Sequence, residues 1–228
     1  MADAQKIVIS LGGSLIIPDE IDLNFLRSFK SLIEGEVQKG KSFIIITGGG
    51  KVCRRYQDAV RKLGAGDSES LDWVGIYATR LNATLLRVLF GKGAYSEIMQ
   101  EPEKVPRVDA PIIVGGGSIP GHSSDFAAVT VAEKTGAQRL INLSNIDYVY
   151  EKDPREFPDA KKVERATWKE FRAILPQGYY PGINAPFDPV AAKRAEELGL
   201  EVAIMNGNPL LNLQNYLEGE AFKGTVIK

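Results

Sequence analysis

Glycine clusters end three short runs of aliphatic and β-branched residues in this sequence. The clusters are Gly12-Gly13, Gly48-Gly49-Gly50 and Gly115-Gly116-Gly117. Glycine permits positive φ angles and lets a ligand approach backbone N–H groups closely. A helix that begins directly after such a turn points its unpaired N–H groups and its positive dipole end at whatever binds there. One such turn can be purely steric, but three in one chain favour a ligand set with several phosphates.

Charged residues near these turns are candidates for binding the phosphates. Arg54 falls in the first turn of the helix predicted after the second cluster, where a guanidinium can hold a phosphate with two hydrogen bonds. Its neighbour Arg55 is better interpreted as a solvated helix residue. His122 is either an ordinary loop histidine or a phosphate donor, and Asp125 is either a helix-capping residue or part of the site.

The remaining candidates for metal or covalent chemistry are weaker. Asp147 and Asp153 follow a predicted strand and could orient a lysine or hold magnesium, but Asp153-Pro154 is equally a normal turn. We therefore assign no metal ligands. Cys53, the single cysteine, has no His or Asp partner pattern, which argues against nucleophilic catalysis.

A literal P-loop match occurs at residues 35–42, Gly-Glu-Val-Gln-Lys-Gly-Lys-Ser. That motif cradles phosphate only where it follows a strand and opens a helix. Here it closes a predicted helix and precedes the strand at residues 43–46. We interpret Gly40 as a helix stop and reject the motif.

Strands and helices alternate along the chain. Continuous apolar runs at residues 7–11, 43–47, 112–114, 140–143 and 201–205 predict strands covered on both faces. Helical stripes follow them, among them one capped by Asp22 and one begun by Asp188-Pro189. This order predicts an α/β fold, with a mainly parallel sheet covered by helices on both faces, in a single domain at residues 1–228. Residues 147–187 are the least regular and predict a long excursion beside the site.

Two predicted helices have apolar stripes that indicate which face of each helix is buried. The helix at residues 70–90 has a predicted inner stripe of Leu71, Val74, Ala78, Leu81, Leu85 and Leu89. It has further large residues, which predict a second buried surface and hence a subunit contact: Trp73, Ile76, Tyr77, Val88 and Phe90. The preceding helix has a predicted stripe of Val52, Tyr56, Ala59, Val60 and Leu63.

Composition excludes several classes of protein. The 228 residues include 28 Lys and Arg against 29 Asp and Glu, and this balance gives no basic surface for nucleic acid. The apolar runs are far shorter than the roughly 20 residues that span a bilayer. The first residues lack a basic region followed by an apolar stretch, so we expect a cytoplasmic protein without a membrane partner.

Six motifs, in order, resemble those of the amino acid kinase family, and most closely its archaeal-type uridylate (UMP) kinases. They lie at residues 11–14, 47–56, 72–83, 120–125, 145–154 and 188–193 and cover nearly the whole chain. The resemblance implies a three-layer α/β/α sandwich, usually hexameric, that transfers the γ-phosphoryl of ATP to UMP with Mg²⁺. It further implies that the N-terminal part binds the acceptor and the C-terminal part binds ATP.

The resemblance also implies roles for individual residues. On the ATP side it places Gly12, Gly13, Ser14, Gly50 and Arg54 at the phosphates, and Ser144, Tyr150 and Asp153 at the nucleoside. On the UMP side it places Gly49, Asp72 at the ribose hydroxyls, and the loop of Gly117, Ser118, Ile119, Pro120, Gly121, His122, Ser123 and Ser124. Asp125 matches the conspicuous aspartate at the end of the UMP loop. We take Arg54, Lys51 and Asp125 as the catalytic candidates.

Two positions depart from the family pattern. Many members have a lysine, which bridges the transferred phosphoryl, where this chain has Ser10. Phosphoryl transfer depends on charge neutralisation, so another cation is expected, with Lys51 the first candidate and Arg54 or Lys193 the others. The second departure is Tyr148 in place of glycine, which is expected to crowd the adenine pocket or to change nucleotide choice.

Two alternatives to a UMP kinase stay open from the sequence. One is a kinase of the same fold that acts on another small acid or phosphate. The other is an inactive anion-binding or storage protein similar to a molybdenum-storage relative, which the absence of a lysine at Ser10 would fit.

Overall fold

A computed structural model describes residues 6–176, 178 and 185–228. Residues 177 and 179–184, which belong to the irregular segment expected at residues 147–187, lie outside the described residues. The described strands, in chain order, are β1 (Ile7–Leu11), β2 (Phe43–Thr47), β3 (Ile112–Gly115), β4 (Arg139–Ser144), β5 (Val149–Tyr150), β6 (Lys162–Val163), β7 (Arg165–Ala166), β8 (Glu201–Asn206) and β9 (Thr225–Ile227).

Seven of these strands form one twisted sheet in the order β3-β2-β1-β4-β8-β9-β7. The pairs from β3 through β8 are parallel, and β9 is antiparallel to β8. The short strands β5 and β6 form a separate antiparallel hairpin. Because β1 to β4 run in the same direction, their carboxyl ends meet at one edge of the sheet.

The predicted helices begin and end close to their predicted positions, and three further helices, at residues 13–16, 168–174 and 211–218, were not predicted. They are α1 (Gly13–Ile16), α2 (Leu23–Gln38), α3 (Gly50–Lys62), α4 (Ser68–Phe90), α5 (Ser124–Thr135), α6 (Trp168–Ile174), α7 (Pro189–Glu197) and α8 (Leu211–Glu218), with a 3-10 turn at Gly91–Gly93. Asp22 caps α2 by accepting from the Phe25 N–H at 2.9 Å, and Asp188 caps α7 by accepting from the Ala191 N–H at 2.6 Å. The P-loop match at residues 35–42 closes α2 and leads into β2, which confirms its rejection.

Alternate residues of the central strands face two different hydrophobic clusters. Val8, Ile44 and Ile46 pack against α5, α6 and α7 on one face. Ile9 and Ile45 pack against α2, α4 and α8 on the other. Burial on both faces explains why these strands are apolar throughout, and the predicted three-layer α/β/α fold is confirmed. No helix in the described ranges is both long and apolar enough to cross a membrane.

The predicted inner face of α4 is partly wrong: Leu71 and Ala78 are buried as predicted, but the centre of the buried face is shifted by about one residue. Leu81 is 64% exposed, whereas Ile76 and Phe90, which we assigned to an outer surface, are 4% and 3% exposed and belong to the core. The face that is buried includes three polar residues, Asp72, Thr79 and Asn82. Because these residues bind loops of the cleft described below, the apolar pattern alone gives the wrong rotation of the helix.

The outer surfaces of α3 and α4 are apolar and exposed. Along α4, Trp73, Tyr77, Leu81 and Val88 form a stripe that faces away from the sheet. On α3, Tyr56 and Leu63 are 65% and 81% exposed, so the inner stripe predicted for that helix is also wrong. The two helices that border the cleft therefore leave large apolar side chains in contact with solvent.

Candidate active site

One cleft lies at the carboxyl ends of β1 to β4. Thirteen of the residues predicted for the site line it: Gly12, Gly13, Ser14, Gly49, Gly50, Arg54, Asp72, Gly117, His122, Ser123, Ser124, Asp125 and Ser144. This is the edge where ligands bind in open parallel sheets. Residues that come from distant parts of the sequence thus line one continuous surface.

Two of the glycine turns pack directly against each other. A Cβ atom at Gly13 would lie 2.2 Å from the Gly50 nitrogen, and one at Gly50 would lie 2.4 Å from the Gly13 oxygen. Gly50 also has φ +64°, which disfavours any side chain. The glycines here are needed for this close approach, whether or not a phosphate is bound, and they fix the floor of the cleft.

Three helix N-termini point to the cleft. α3 begins at Gly49-Gly50, α5 begins after the capping residue Ser123, and α7 begins after Asp188, and all of these residues line the cleft. Each N-terminus presents unpaired N–H groups and the positive end of a helix dipole. The three helix dipoles favour an anion such as phosphate near these N-termini, beside the carboxylates of Asp125 and Asp188 that also line the cleft.

Arg54 is the only one of the three predicted replacement cations that lines the cleft. The Lys51 ammonium instead forms an ion pair with the exposed carboxylate of Asp19. Arg55 also pairs with Asp19, at 3.5 Å, on the surface outside the cleft. Lys193 is exposed on α7 and is not among the cleft-lining residues. The structure thus separates Arg54 from its charged neighbours.

The wall formed by α4 is tied by hydrogen bonds to the loop that follows β3. Asp72 accepts a 2.7 Å hydrogen bond from the Gly121 N–H, and Thr79 Oγ1 accepts one of 2.6 Å from the Gly117 N–H. Arg80 donates to the Gly117 and Ser118 oxygens at 3.1 Å each. The loop predicted to surround UMP is therefore held in place by side chains of α4.

The second glycine turn has a similar support, which the sequence did not reveal. Asn82 is 2% exposed and donates through Nδ2 to the Gly48 oxygen at 2.8 Å. Thr47, which is fully buried, donates through Oγ1 to the Thr79 oxygen at 2.8 Å. Asn82 could have been identified because it is a polar residue on the same helix face as the apolar residues Ala83 and Leu86.

Four polar side chains form the inner end of the cleft, which we call the inner cluster: Ser10, Asp125, Asn142 and Asp188. Asp125 Oδ1 accepts from Ser10 Oγ and from Asn142 Nδ2, both at 2.8 Å. Asp125 Oδ2 accepts from the Asp188 N–H at 3.2 Å. The sequence indicates Ser10 only as the position of a missing lysine and Asp188 only as a helix cap. Asn142 is a polar residue in an otherwise apolar buried strand, and no motif in the sequence points to it as a site residue.

The two carboxylates of the inner cluster disfavour each other's charge. Burial raises the pKa of Asp125 to about 6, with the charge of Asp188 adding to the effect against the hydrogen bonds from Ser10 and Asn142. Burial also raises the pKa of Asp188, although backbone N–H groups, the Ser123 hydroxyl and His122 oppose that shift. No lysine or arginine is among the main causes of either shift. The cluster is acidic and lacks a fixed cation.

Several predicted site residues do not line the cleft. They are Lys51, Ser118, Ile119, Pro120, Gly121, Tyr150 and Asp153. Asp153 binds Arg155 through a bidentate ion pair, and the hydrogen bonds of Arg155 lower the pKa of that carboxyl to about 2. Tyr148, the second departure from the family pattern, lies under the Lys162 ammonium at 4.8 Å on the β5–β6 hairpin. Asp147 accepts from Asn206 at 2.7 Å.

Two cleft residues have properties that bear on chemistry. His122 lines the cleft and stacks on Phe126, with ring centroids 4.2 Å apart. Cys53 also lines the cleft, but burial raises the pKa of its thiol. A protonated thiol is a poor nucleophile, which agrees with the expectation that Cys53 has no covalent role.

A parallel sheet with helices on both faces, glycine turns at its carboxyl edge and a cleft lined by three helix N-termini are features that α/β proteins use to bind phosphates. The model of the amino acid kinase family matches residues 5–206, and the chain belongs to that family.

Proteins similar to this chain include uridylate kinases from archaea. The chain is 35% identical to the uridylate kinase of Methanospirillum hungatei over 97% of this chain and 94% of that protein. It is 36% identical to that of Thermoplasma volcanium over 98% of each. The crystal structure of uridylate kinase from Archaeoglobus fulgidus superposes with a TM-score of 0.83 at 32% identity, covering 98% of this chain and all of that one.

Proposed function

We propose that this protein is a UMP kinase, which transfers the γ-phosphoryl group of ATP to UMP and yields ADP and UDP, a step of pyrimidine nucleotide synthesis. Curated uridylate kinases of several archaea, similar over nearly their whole length, support this function. The single observation in the structure that supports it best is the cleft, which three helix N-termini, Arg54 and Asp72 line together.

The residues of the cleft divide the work between donor and acceptor. We assign the ATP phosphates to Gly12, Gly13, Ser14 and Gly50, where backbone N–H groups can bind them, and the ATP nucleoside to the region after Ser144. We assign UMP to Gly49, Asp72 and the loop at residues 117–124. This arrangement gives the acceptor and the ATP phosphates mainly to the N-terminal part of the chain, and the ATP nucleoside to the C-terminal part.

Arg54 is the fixed cation of the reaction in this proposal. A guanidinium placed where charge builds up on the moving phosphoryl group stabilises the transition state more than the bound substrates. No general base is required, because the attacking oxygen of the UMP phosphate is already an anion. The remaining work of the chain is to hold the two phosphates in line.

Mg²⁺ is expected to accompany ATP, and the inner cluster fits such an ion. Its donors are oxygen atoms only, and the buried Asp188 Oδ2 and Asn142 Oδ1 receive no hydrogen bond from described residues. Hard oxygen donors with one or two carboxylates are what Mg²⁺ prefers. When bound, the ion would neutralise charge on the phosphates, while Asp125 would keep Ser10 and Asn142 in place.

The test is the release of ADP from ATP with a panel of nucleoside monophosphates. We expect kcat/KM for UMP to exceed the values for CMP, AMP and GMP by at least about tenfold, or about 1.4 kcal/mol of discrimination. Equal rates across the panel, or turnover only with a non-nucleotide acid, would favour another kinase of this fold. Tight anion binding without any ADP release would favour a storage protein.

We also propose that the protein is a cytoplasmic homo-oligomer, with a hexamer favoured. The exposed apolar stripe of Trp73, Tyr77, Leu81 and Val88 supports this, because a second copy would remove it from water. Light scattering should give a multiple of the 24.9 kDa chain at micromolar concentration. Replacing Tyr77 and Leu81 with Glu should reduce that mass, whereas a wild-type monomer would exclude the assembly.

A further inference from the structure

We propose that the inner cluster of Ser10, Asp125, Asn142 and Asp188 binds one divalent cation in the absence of nucleotide, at the place where other family members have a lysine ammonium. The ion would be Mg²⁺ or a close equivalent such as Mn²⁺. The proposal rests on the proposed function only for the ion's role in catalysis, because binding itself requires no substrate.

The first support is a pair of unsatisfied buried oxygens. Asp188 and Asn142 are 3% and 6% exposed, and Asp188 Oδ2 and Asn142 Oδ1 have no hydrogen-bond donor among the described residues. A buried oxygen without a partner costs about 1–3 kcal/mol, more if it is charged, and such an atom in a native protein calls for an unseen water or ion. Both residues line the cleft and both contact Asp125, so the two oxygens belong to the same small region.

The second support is charge. Asp125 and Asp188 contact each other at 3.2 Å through a backbone N–H, and no lysine or arginine of the described chain pairs with either. A buried carboxylate without a counter-charge is strongly unfavourable. A divalent cation would balance two carboxylates, whereas the Ser10 hydroxyl brings no charge at all.

The third support is the identity of the donors. Carboxylate, amide and hydroxyl oxygens select hard cations such as Mg²⁺ and Mn²⁺ over the softer metals that prefer sulfur and imidazole. No group of three His, Cys, Asp or Glu side chains with metal-binding geometry occurs in the described residues. The proposed site has two carboxylates, and the Asn142 amide oxygen, the Ser10 hydroxyl and bound water would complete its set of oxygen ligands.

The site also explains how the chain dispenses with a lysine at Ser10. The neutral hydroxyl donates to Asp125 at 2.8 Å and leaves Asp188 without a counter-charge, with Asp188 Oδ2 lacking a hydrogen-bond donor among the described residues. A lysine at that position would place its ammonium beside the same two carboxylates. An ammonium and a divalent cation would compete for this region, and this competition makes the proposal testable by a single substitution.

The experiment is an electron paramagnetic resonance titration of the full-length, nucleotide-free protein with Mn²⁺ after removal of metals. We expect one Mn²⁺ per chain in the wild type, with affinity reduced at least tenfold in both Ser10→Lys and Asp188→Asn. Ser10→Ala, which adds no charge, should weaken binding less than threefold. Asp58→Asn, which removes an exposed carboxylate paired with Arg61 on α3, should leave binding unchanged.

Circular dichroism and melting curves in chelator establish that each variant is folded. The proposal is overturned if the wild type binds no Mn²⁺ without nucleotide, or if Ser10→Lys and Asp188→Asn bind it as the wild type does. This experiment tests the metal site independently of the proposed kinase function. A wild type that binds Mn²⁺ but phosphorylates no nucleoside monophosphate would contradict the function and leave the metal site standing.

Discussion

The α4 wall and the inner cluster of the cleft differ in how completely their polar groups are hydrogen-bonded within the chain. On the α4 side, Thr79, Arg80 and Asn82 are hydrogen-bonded to the loops that they support. In the inner cluster, Asp188 and Asn142 each keep a buried oxygen without a donor. The difference indicates that the α4 wall is preorganised by the chain itself, whereas the inner cluster is completed only by what binds there.

The largest effect is expected from the incomplete side. Asp188→Asn keeps a side-chain acceptor for the Ala191 N–H but removes the charge, so α7 should still be capped. We expect kcat/KM for UMP phosphorylation to fall on the order of 10²–10³, because a group that acts on developing phosphoryl charge is lost. Steady-state kinetics at saturating Mg²⁺ measure this. Full activity in the variant would show that the inner cluster is only structural.

The same substitution should raise stability in the absence of metal. Burial raises the pKa of Asp188, so its ionisation opposes folding above its ordinary pKa and has no effect where both states are protonated. At pH 8 in chelator, Asp188→Asn should therefore raise the free energy of unfolding. At pH 3 the gain should vanish. Urea unfolding at the two pH values distinguishes this result from a pH-independent packing effect.

Arg54 provides a second comparison, between a cation that lines the cleft and two cations of the same helix, Lys51 and Arg55, that do not. We expect Arg54→Ala to reduce kcat/KM on the order of 10². Lys51→Ala and Arg55→Ala should change it less than about threefold, since both side chains pair with Asp19 on the surface and surface pairs contribute little. A larger loss in Lys51→Ala than in Arg54→Ala would show that Lys51 moves into the cleft during the reaction.

A smaller effect is expected from the preorganised side. Thr79→Val keeps the shape of the side chain but leaves the buried Gly117 N–H without its 2.6 Å acceptor. We expect a loss of about 1–3 kcal/mol in the free energy of unfolding and a rise of about tenfold in KM for UMP, with little change in kcat. Thr84→Val, on the exposed face of the same helix, is the matched control and should alter neither. Unchanged KM in Thr79→Val would show that the loop does not depend on α4.

The fold was largely predictable from local patterns. Apolar strands, glycine turns, the Asp22 and Asp188 caps and the helix stop at Gly40 each depend on residues close together in the sequence, and the structure agrees with them. Where polar residues of α4 turn inward, the prediction of its inner face was wrong. The helix rotates to satisfy contacts with Gly48 and Gly117, which lie more than thirty residues away in the chain.

The α/β order, the three glycine turns that end parallel strands, and the family could all be predicted from the sequence alone. These follow from backbone preference and burial, which neighbouring residues decide. Only the tertiary structure decided that Arg54 and not Lys51 lines the cleft, and that Ser10, Asp125, Asn142 and Asp188 meet in one cluster. These four residues come from β1, α5, β4 and the start of α7. Their contacts depend on the order of strands in the sheet, because a pairwise interaction across 115 residues leaves no periodic trace in the sequence.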